Sequence, residues 1–188
     1  MRHVLLIAAA TVVVAACSSS EAAPVANSAV AAQDGHASHS AANNGELTAE
    51  QKQGVADVRK VTQQFHNFEL AKKAGYSVQY PAGCAESPDG AQAFHWLNES
   101  LVDGKVELLK PELLMFEPKP DGSMQLIGVD YVVPLTASAT APTLLGVPFA
   151  RNEPLGVWAL HIWAWRPNPS GMFAAWNPKV SCRYAKPS

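Results

Sequence analysis

The hydrophobic period of this chain changes once, at Gly75, and that change decides what it can fold into. Upstream, Val58, Val61, Phe65 and Phe68 recur at three- and four-residue spacing, the period of one helix face. Thr48 stands at an N-cap position and Gln51 at the matching capping-box position. The spacing therefore predicts a helix from residue 48 to about Ala74, stopped by Gly75. Downstream, the apolar residues fall in short runs over residues 76–80, 93–97, 111–117, 124–133 and 156–166, each read as a strand. Asp121-Gly122 predicts a hairpin turn between the third and fourth of these runs. Residues 134–154 read as one long loop, and NPSGMFAAWNPKVSC as a looped closure. The expected fold class is α+β: a long N-terminal helix packed on a four- to five-stranded antiparallel sheet, with long loops.

Export sets the conditions under which that domain folds. MRHVLLIAAATVVVAAC has a basic start and a 13-residue apolar run from Val4 to Ala16, too short to span a bilayer core of about 30 Å and suited to a signal peptide. Val14-Ala15-Ala16-Cys17 resembles the bacterial lipoprotein pattern, in which small residues admit the peptidase and the cysteine thiol accepts a diacylglycerol. Residues 1–16 are thus expected to be a lipoprotein signal peptide and Cys17 the lipidated residue, holding the chain to the membrane through its acyl groups. Ser18 is not the acidic residue linked to inner-membrane retention, which favours the outer membrane where a cell has one. Residues 17–47 are rich in Ser, Ala, Asn and Gln and read as a disordered tether; His36 and His39 within it read as solvated linker or as a weak metal pair. Residues 48–188 form a single globular domain with 13 basic and 13 acidic side chains. With no basic stripe interleaved with aromatics, nucleic acid is not an expected partner.

With Cys17 lipidated, Cys84 and Cys182 remain. In an oxidising compartment this pair is expected to form a disulfide, the alternative being two free buried thiols. The bridge would close a loop of about 100 residues, worth roughly 4–5 kcal/mol by chain entropy.

The domain resembles a family of uncharacterised bacterial secreted proteins and lipoproteins. The resemblance rests on FHNFELAKKAGY, the Cys84 turn, FHWLNESLVDGKVELLKPELLMFEP, LIGVDYVVP, LHIWAWRPNPSGMFAAWNP and the terminal VSC, together covering about residues 60–182. It implies export, one domain and a Cys84–Cys182 bridge, and it implies no mechanism. Members often carry His-Tyr-Val-Asn-Pro where this chain has His95-Trp96-Leu97-Asn98-Glu99, and Glu where it has Asp130.

Three histidines belong to the predicted domain: His66 on the helix, His95 in AFHWL and His161 in LHIWAW. Side chains from three separate elements can converge on one metal and leave a position open. Strand alternation sets His161 among Ala159, Trp163 and Trp165, an aromatic wall that would hold its imidazole neutral. Glu117 and Asp130 are candidates for a fourth ligand or for an acceptor behind an imidazole. Zinc and copper suit such a donor set. The same cluster would also serve a metal-dependent hydrolase or oxidase with Glu117 as base. In a structural envelope protein, the three histidines would instead be ordinary hydrogen-bonded core residues. No nucleophile elbow or Gly-rich phosphate loop is present, and Ser170-Gly171 reads as a turn. The five tryptophans read as core or as the lining of a ligand groove.

Overall fold

In the computed structural model the described residues are 46–186. The expected signal peptide, Cys17, His36 and His39 lie outside them. Leu47, which the sequence assigns to the tether, packs against the domain core.

The predicted helix forms as three pieces. α1 (Ala49–Thr62) opens with the expected capping box: the Gln51 amide donates to the Thr48 hydroxyl, and Thr48 N–H donates to the Gln51 side chain. A 3-10 turn (Gln63–His66) follows, and α2 (Phe68–Lys73) starts afresh. The break has a local cause. Asn67 is extended, and its side-chain oxygen accepts from the amides of Glu69 and Leu70. An asparagine that caps a new helix withholds its own backbone from the old one. The redirected α2 sets Phe68 edge-on against both Trp96 and Phe116, each at 4.9 Å. Among the described residues, no helix is long and apolar enough to cross a membrane.

The sheet is larger than expected, with seven strands in place of four or five. β1 (Val78–Gln79), β2 (Ala85–Ser87), β3 (Gly90–Leu97), β4 (Leu113–Pro118), β5 (Met124–Pro134), β8 (Ala150–Asn152) and β9 (Val157–Ile162) join antiparallel in the order β1-β3-β4-β5-β9-β8, with β2 also paired to β3. The two added strands, β2 and β8, have three residues each, too few to show a period of two. The segment read as one long loop holds β8 and a separate small hairpin, β6 (Thr143–Leu144) with β7 (Val147–Pro148). β4 and β5 form the predicted hairpin around Asp121-Gly122. Cys84 and Cys182 are joined as a disulfide across 98 residues.

Alternation divides the sheet into two faces. Leu114, Phe116, Leu126, Val129, Tyr131, Val133, Leu160 and Ile162 face the helices and join Val55, Val58 and Phe65 in the main core. The other face carries two smaller clusters. One is Ala91, Ala93, Met115, Ile127, Trp163 and Val180, packed near the disulfide. The other is Leu97, Leu113, Val132 and Val157. A bulge between Met115 and Phe116 in the β4–β5 ladder bends the sheet, as bulges do. Gly128 completes the bend: a Cβ there would lie 2.5 Å from the Ile162 carbonyl oxygen, so only glycine lets the end of β9 come this close.

Candidate metal centre

The polar residues of the helix-free face lie between its two apolar clusters. His95 on β3 is the cross-strand partner of Met115 on β4. Asp130 on β5 pairs with Leu113 on one side and with His161 on β9 on the other. Directly opposed residues share a face, so the register alone puts His95, Asp130 and His161 on one side of the sheet. The backbones of β3 and β9 are three strand spacings apart, about 14 Å in a flat sheet. Curling brings the imidazoles together above β4 and β5, with His95 Nε2 3.3 Å from His161 Nε2. Asp130 Oδ2 lies 3.7 Å from His161 Nε2 and 3.9 Å from His95 Nε2. All three residues are buried, at 2%, 5% and 7% exposure for His95, Asp130 and His161.

These separations fit a metal. The three donor atoms lie within 4.8 Å of one another. The circumradius of a triangle with sides 3.3, 3.7 and 3.9 Å is about 2.1 Å, which is the bond length of zinc to imidazole nitrogen or carboxylate oxygen. A single ion at the centre would reach all three atoms without moving a backbone. Two nitrogens and one oxygen suit zinc or copper; calcium and magnesium, which prefer all-oxygen shells, are poorly matched.

The electrostatics point the same way. Burial pushes the Asp130 carboxyl up to about 6, against the opposing pull of His95 and of the Leu160 and Tyr131 amides. Burial likewise pushes His95 down to about 4; Asp130 draws it back up, His161 pushes it further down, and the Ala93 carbonyl raises it. At neutral pH Asp130 is therefore charged and His95 neutral, the forms that ligate metals. Asp130 Oδ1 and His95 Nδ1 are buried, and the Leu160 and Tyr131 amides and the Ala93 carbonyl near these side chains leave both atoms without a hydrogen bond of good geometry. A buried carboxylate left this way is costly unless a cation compensates it.

The other expected ligands lie elsewhere. His66 is exposed on the 3-10 turn, with its ring edge-on to Trp165 at 4.3 Å. It sits on the helix side, and the sheet stands between it and the pair His95–His161. Glu117 shares a face with Met115 but lies two residues beyond it, at the end of β4. There it accepts from the Ser181 amide at 3.2 Å and from Lys119 Nζ at 3.5 Å, with Arg166 Nη2 at 3.8 Å; its role is to hold the C-terminal segment. The aromatic wall expected around His161 reduces to Trp163, stacked on the imidazole at 6.3 Å and 23°. β9 ends at Ile162, so the alternation that would have carried Trp165 to this face stops there, and Trp165 Nε1 donates instead to Thr62. Trp158 joins the helix-side core. Trp96, with Phe68, Phe94, Met124 and Tyr184, lines a cavity of about 550 Å³.

No family model, curated protein or solved structure matches the chain. Three residues that shape the site carry no polar signal. Gly128 admits the close approach of β9. Met115 lies beside His95. Ala93 holds φ +64° within β3, a conformation that a residue with a Cβ adopts only when its surroundings enforce it. Of these, only the glycine inside MQLIGVDYVV was readable in advance, since a glycine within a strand marks a bulge or a close approach.

Proposed function

We propose that this chain is an exported bacterial protein, held to the cell envelope by a lipid on Cys17, that binds one transition-metal ion, zinc or copper, through His95, Asp130 and His161. The observation that carries the metal reading is the triangle of two imidazole nitrogens and one carboxylate oxygen, whose centre lies one metal–ligand bond from each atom. The unpartnered Asp130 Oδ1 supports it, because a bound cation would offset the desolvation of that carboxylate. The export reading rests on the first 17 residues, and the disulfide is consistent with it. The burial of the ligands favours capture or a structural role for the ion. Hydrolysis requires a base within about 3 Å of a metal-bound water, and Glu117 is committed to Ser181, Lys119 and Arg166.

A second reading has its own support. The 3.3 Å contact between the two Nε2 atoms is a hydrogen bond if one ring is protonated there and the other is not, and the cluster would then be a metal-free polar core of a structural envelope protein. Elemental analysis of the purified protein after exposure to zinc or copper and gel filtration separates the two. One tightly held ion per chain, lost in His95→Ala and in His161→Ala, supports metal binding. No retained ion, with unchanged melting, supports the structural core.

A further inference from the structure

An ion needs a path to three buried ligands, and the two apolar clusters that flank them differ. Two residues from the ligands along the strands in one direction stand Leu97, Val132 and Ala159, which belong to one apolar cluster. Two residues in the other direction stand Ala93 and Trp163, which belong to the other. One two-residue step is about 6.6 Å of strand, so the ligands sit midway between two plugs.

The Trp163 plug is fastened at many points. Trp163 N–H donates to the Met172 carbonyl at 3.0 Å and its indole Nε1 to the Ala174 carbonyl at 2.7 Å. Ala91 and Asn177 exchange backbone hydrogen bonds across the same end. Cys84 and Cys182, joined by the disulfide, pack against the cluster. Opening this end would require removing a buried tryptophan and straining a covalent link.

The opposite plug is light. Its outer layer is Tyr80, Val102 and Leu155, which come from three separate segments and are each half-buried. Tyr80 lies just beyond β1 at one edge of the curled sheet, and Leu155 lies in the β8–β9 turn at the other. Among the described residues, the side-chain hydrogen bond that joins these edges is Tyr80 Oη to the Leu155 carbonyl, at 2.7 Å. One such bond is worth about 1 kcal/mol net, and rotating the Tyr80 side chain outward breaks it without disturbing any strand ladder.

We infer that Tyr80 is the gate of the His95–Asp130–His161 site, latched by Leu155, through which the metal ion enters and leaves. This rests on the metal reading and extends it to regulation: the rate of exchange is set at the Tyr80–Leu155 contact, away from the ligands. A gate has a kinetic signature that a ligand lacks. Loosening it speeds entry and exit by the same factor and leaves the dissociation constant unchanged.

The test is stopped-flow uptake and chelator-driven release of zinc by the full chain, comparing wild type with Tyr80→Phe, Tyr80→Ala and Val180→Ala. Tyr80→Phe keeps the ring and deletes the latch, and is expected to raise both rates together by about 5- to 10-fold, the equivalent of one hydrogen bond. Tyr80→Ala should raise both further, while Val180→Ala, which loosens the opposite cluster, leaves both near wild type. Unchanged rates in both Tyr80 variants, or a faster release with unchanged uptake, would overturn the gate while leaving the metal site standing. Faster exchange in Val180→Ala alone would overturn the Tyr80 gate and move the entrance to the other end. A wild-type chain that takes up no zinc and no copper removes the metal reading and the gate with it.

Discussion

Replacing Asp130 with asparagine should have opposite effects on the metal-free and metal-loaded proteins. In the folded chain burial raises the Asp130 carboxyl from its ordinary value of 3.8 to about 6. A carboxyl raised by folding lowers stability progressively as pH climbs from about 4 to about 6, and the full penalty is present at pH 7. Two pKa units correspond to about 3 kcal/mol. Asparagine keeps the shape and removes the charge, but its amide is also buried and restores roughly 1–2 kcal/mol of the penalty. The net expectation is a metal-free variant more stable than wild type by about 1–2 kcal/mol at pH 7, or roughly 3–6 °C in Tm for a domain of this size. At pH 4 the gain should vanish: Asp130 is then uncharged in the folded chain and only about half ionised in the unfolded one, so most of the penalty is gone and the buried amide offsets the rest. In the presence of zinc the order should reverse: wild type gains stability from the ligand, while the variant, lacking the anionic donor, gains little. Differential scanning calorimetry at pH 4 and pH 7, with zinc and with chelator, measures all four quantities. A metal-free Asp130→Asn protein destabilised by several kcal/mol at pH 7 would refute the reasoning, since it would mean that the charge is satisfied within the fold.

Three further outcomes follow from the same geometry. Glu112 is buried at 3% exposure, takes the Val132 amide on Oε2, and is pushed up to about 8, chiefly by burial; wild-type stability should therefore fall as pH rises from about 4.5 to about 8. Glu112→Gln keeps the acceptor and should abolish most of that slope, gaining on the order of 4 kcal/mol over wild type at pH 8.5 and nearly nothing at pH 4 by urea unfolding; equal slopes in the two proteins would contradict it. His66→Ala should leave metal stoichiometry and affinity unchanged and cost no more than about 1 kcal/mol through the lost contact with Trp165, whereas loss of the ion in titration calorimetry would place His66 in the site. Gly128→Ala should destabilise the domain by about 2 kcal/mol or more, because its Cβ would press on the Ile162 carbonyl; it should also weaken metal binding by pushing β9, and His161 with it, away from β5.

How much of this was legible in the sequence depended on the length over which each signal runs. The capping box at Thr48 and Gln51 is local chemistry and reads correctly. The strands with six or more residues, β3, β4, β5 and β9, all announce themselves by composition. The helix end does not, since Asn67 reads equally well as an interior polar residue or as a cap until Phe68 is seen to need a new direction. β2 and β8 take their conformation from pairing with longer neighbours and have almost no pattern of their own. Within the site, alternation placed His95 and His161 on definite faces of their strands, but convergence depends on the curl of the sheet, set by the bulge at Met115 and the bare Cα of Gly128. The same curl puts the sheet between His66 and the pair, a relation that no spacing along the chain encodes. Asp130 was recognisable as a charged residue inside an apolar strand; Glu117 looked equivalent, and only the fold distinguishes a carboxylate beside two imidazoles from one beside Lys119 and Arg166.

On the proposed metal reading, one transition-metal ion sits among His95, Asp130 and His161. X-ray absorption spectroscopy of the zinc-loaded protein, read alongside the zinc-to-protein ratio, tests it most directly. The expected result is one ion per chain in a shell of nitrogen and oxygen neighbours at about 2.0–2.1 Å, with imidazole scattering from two histidines, and no zinc retained by His161→Ala. A chain that retains no ion, or an absorption spectrum unchanged by the loss of His161, would contradict it.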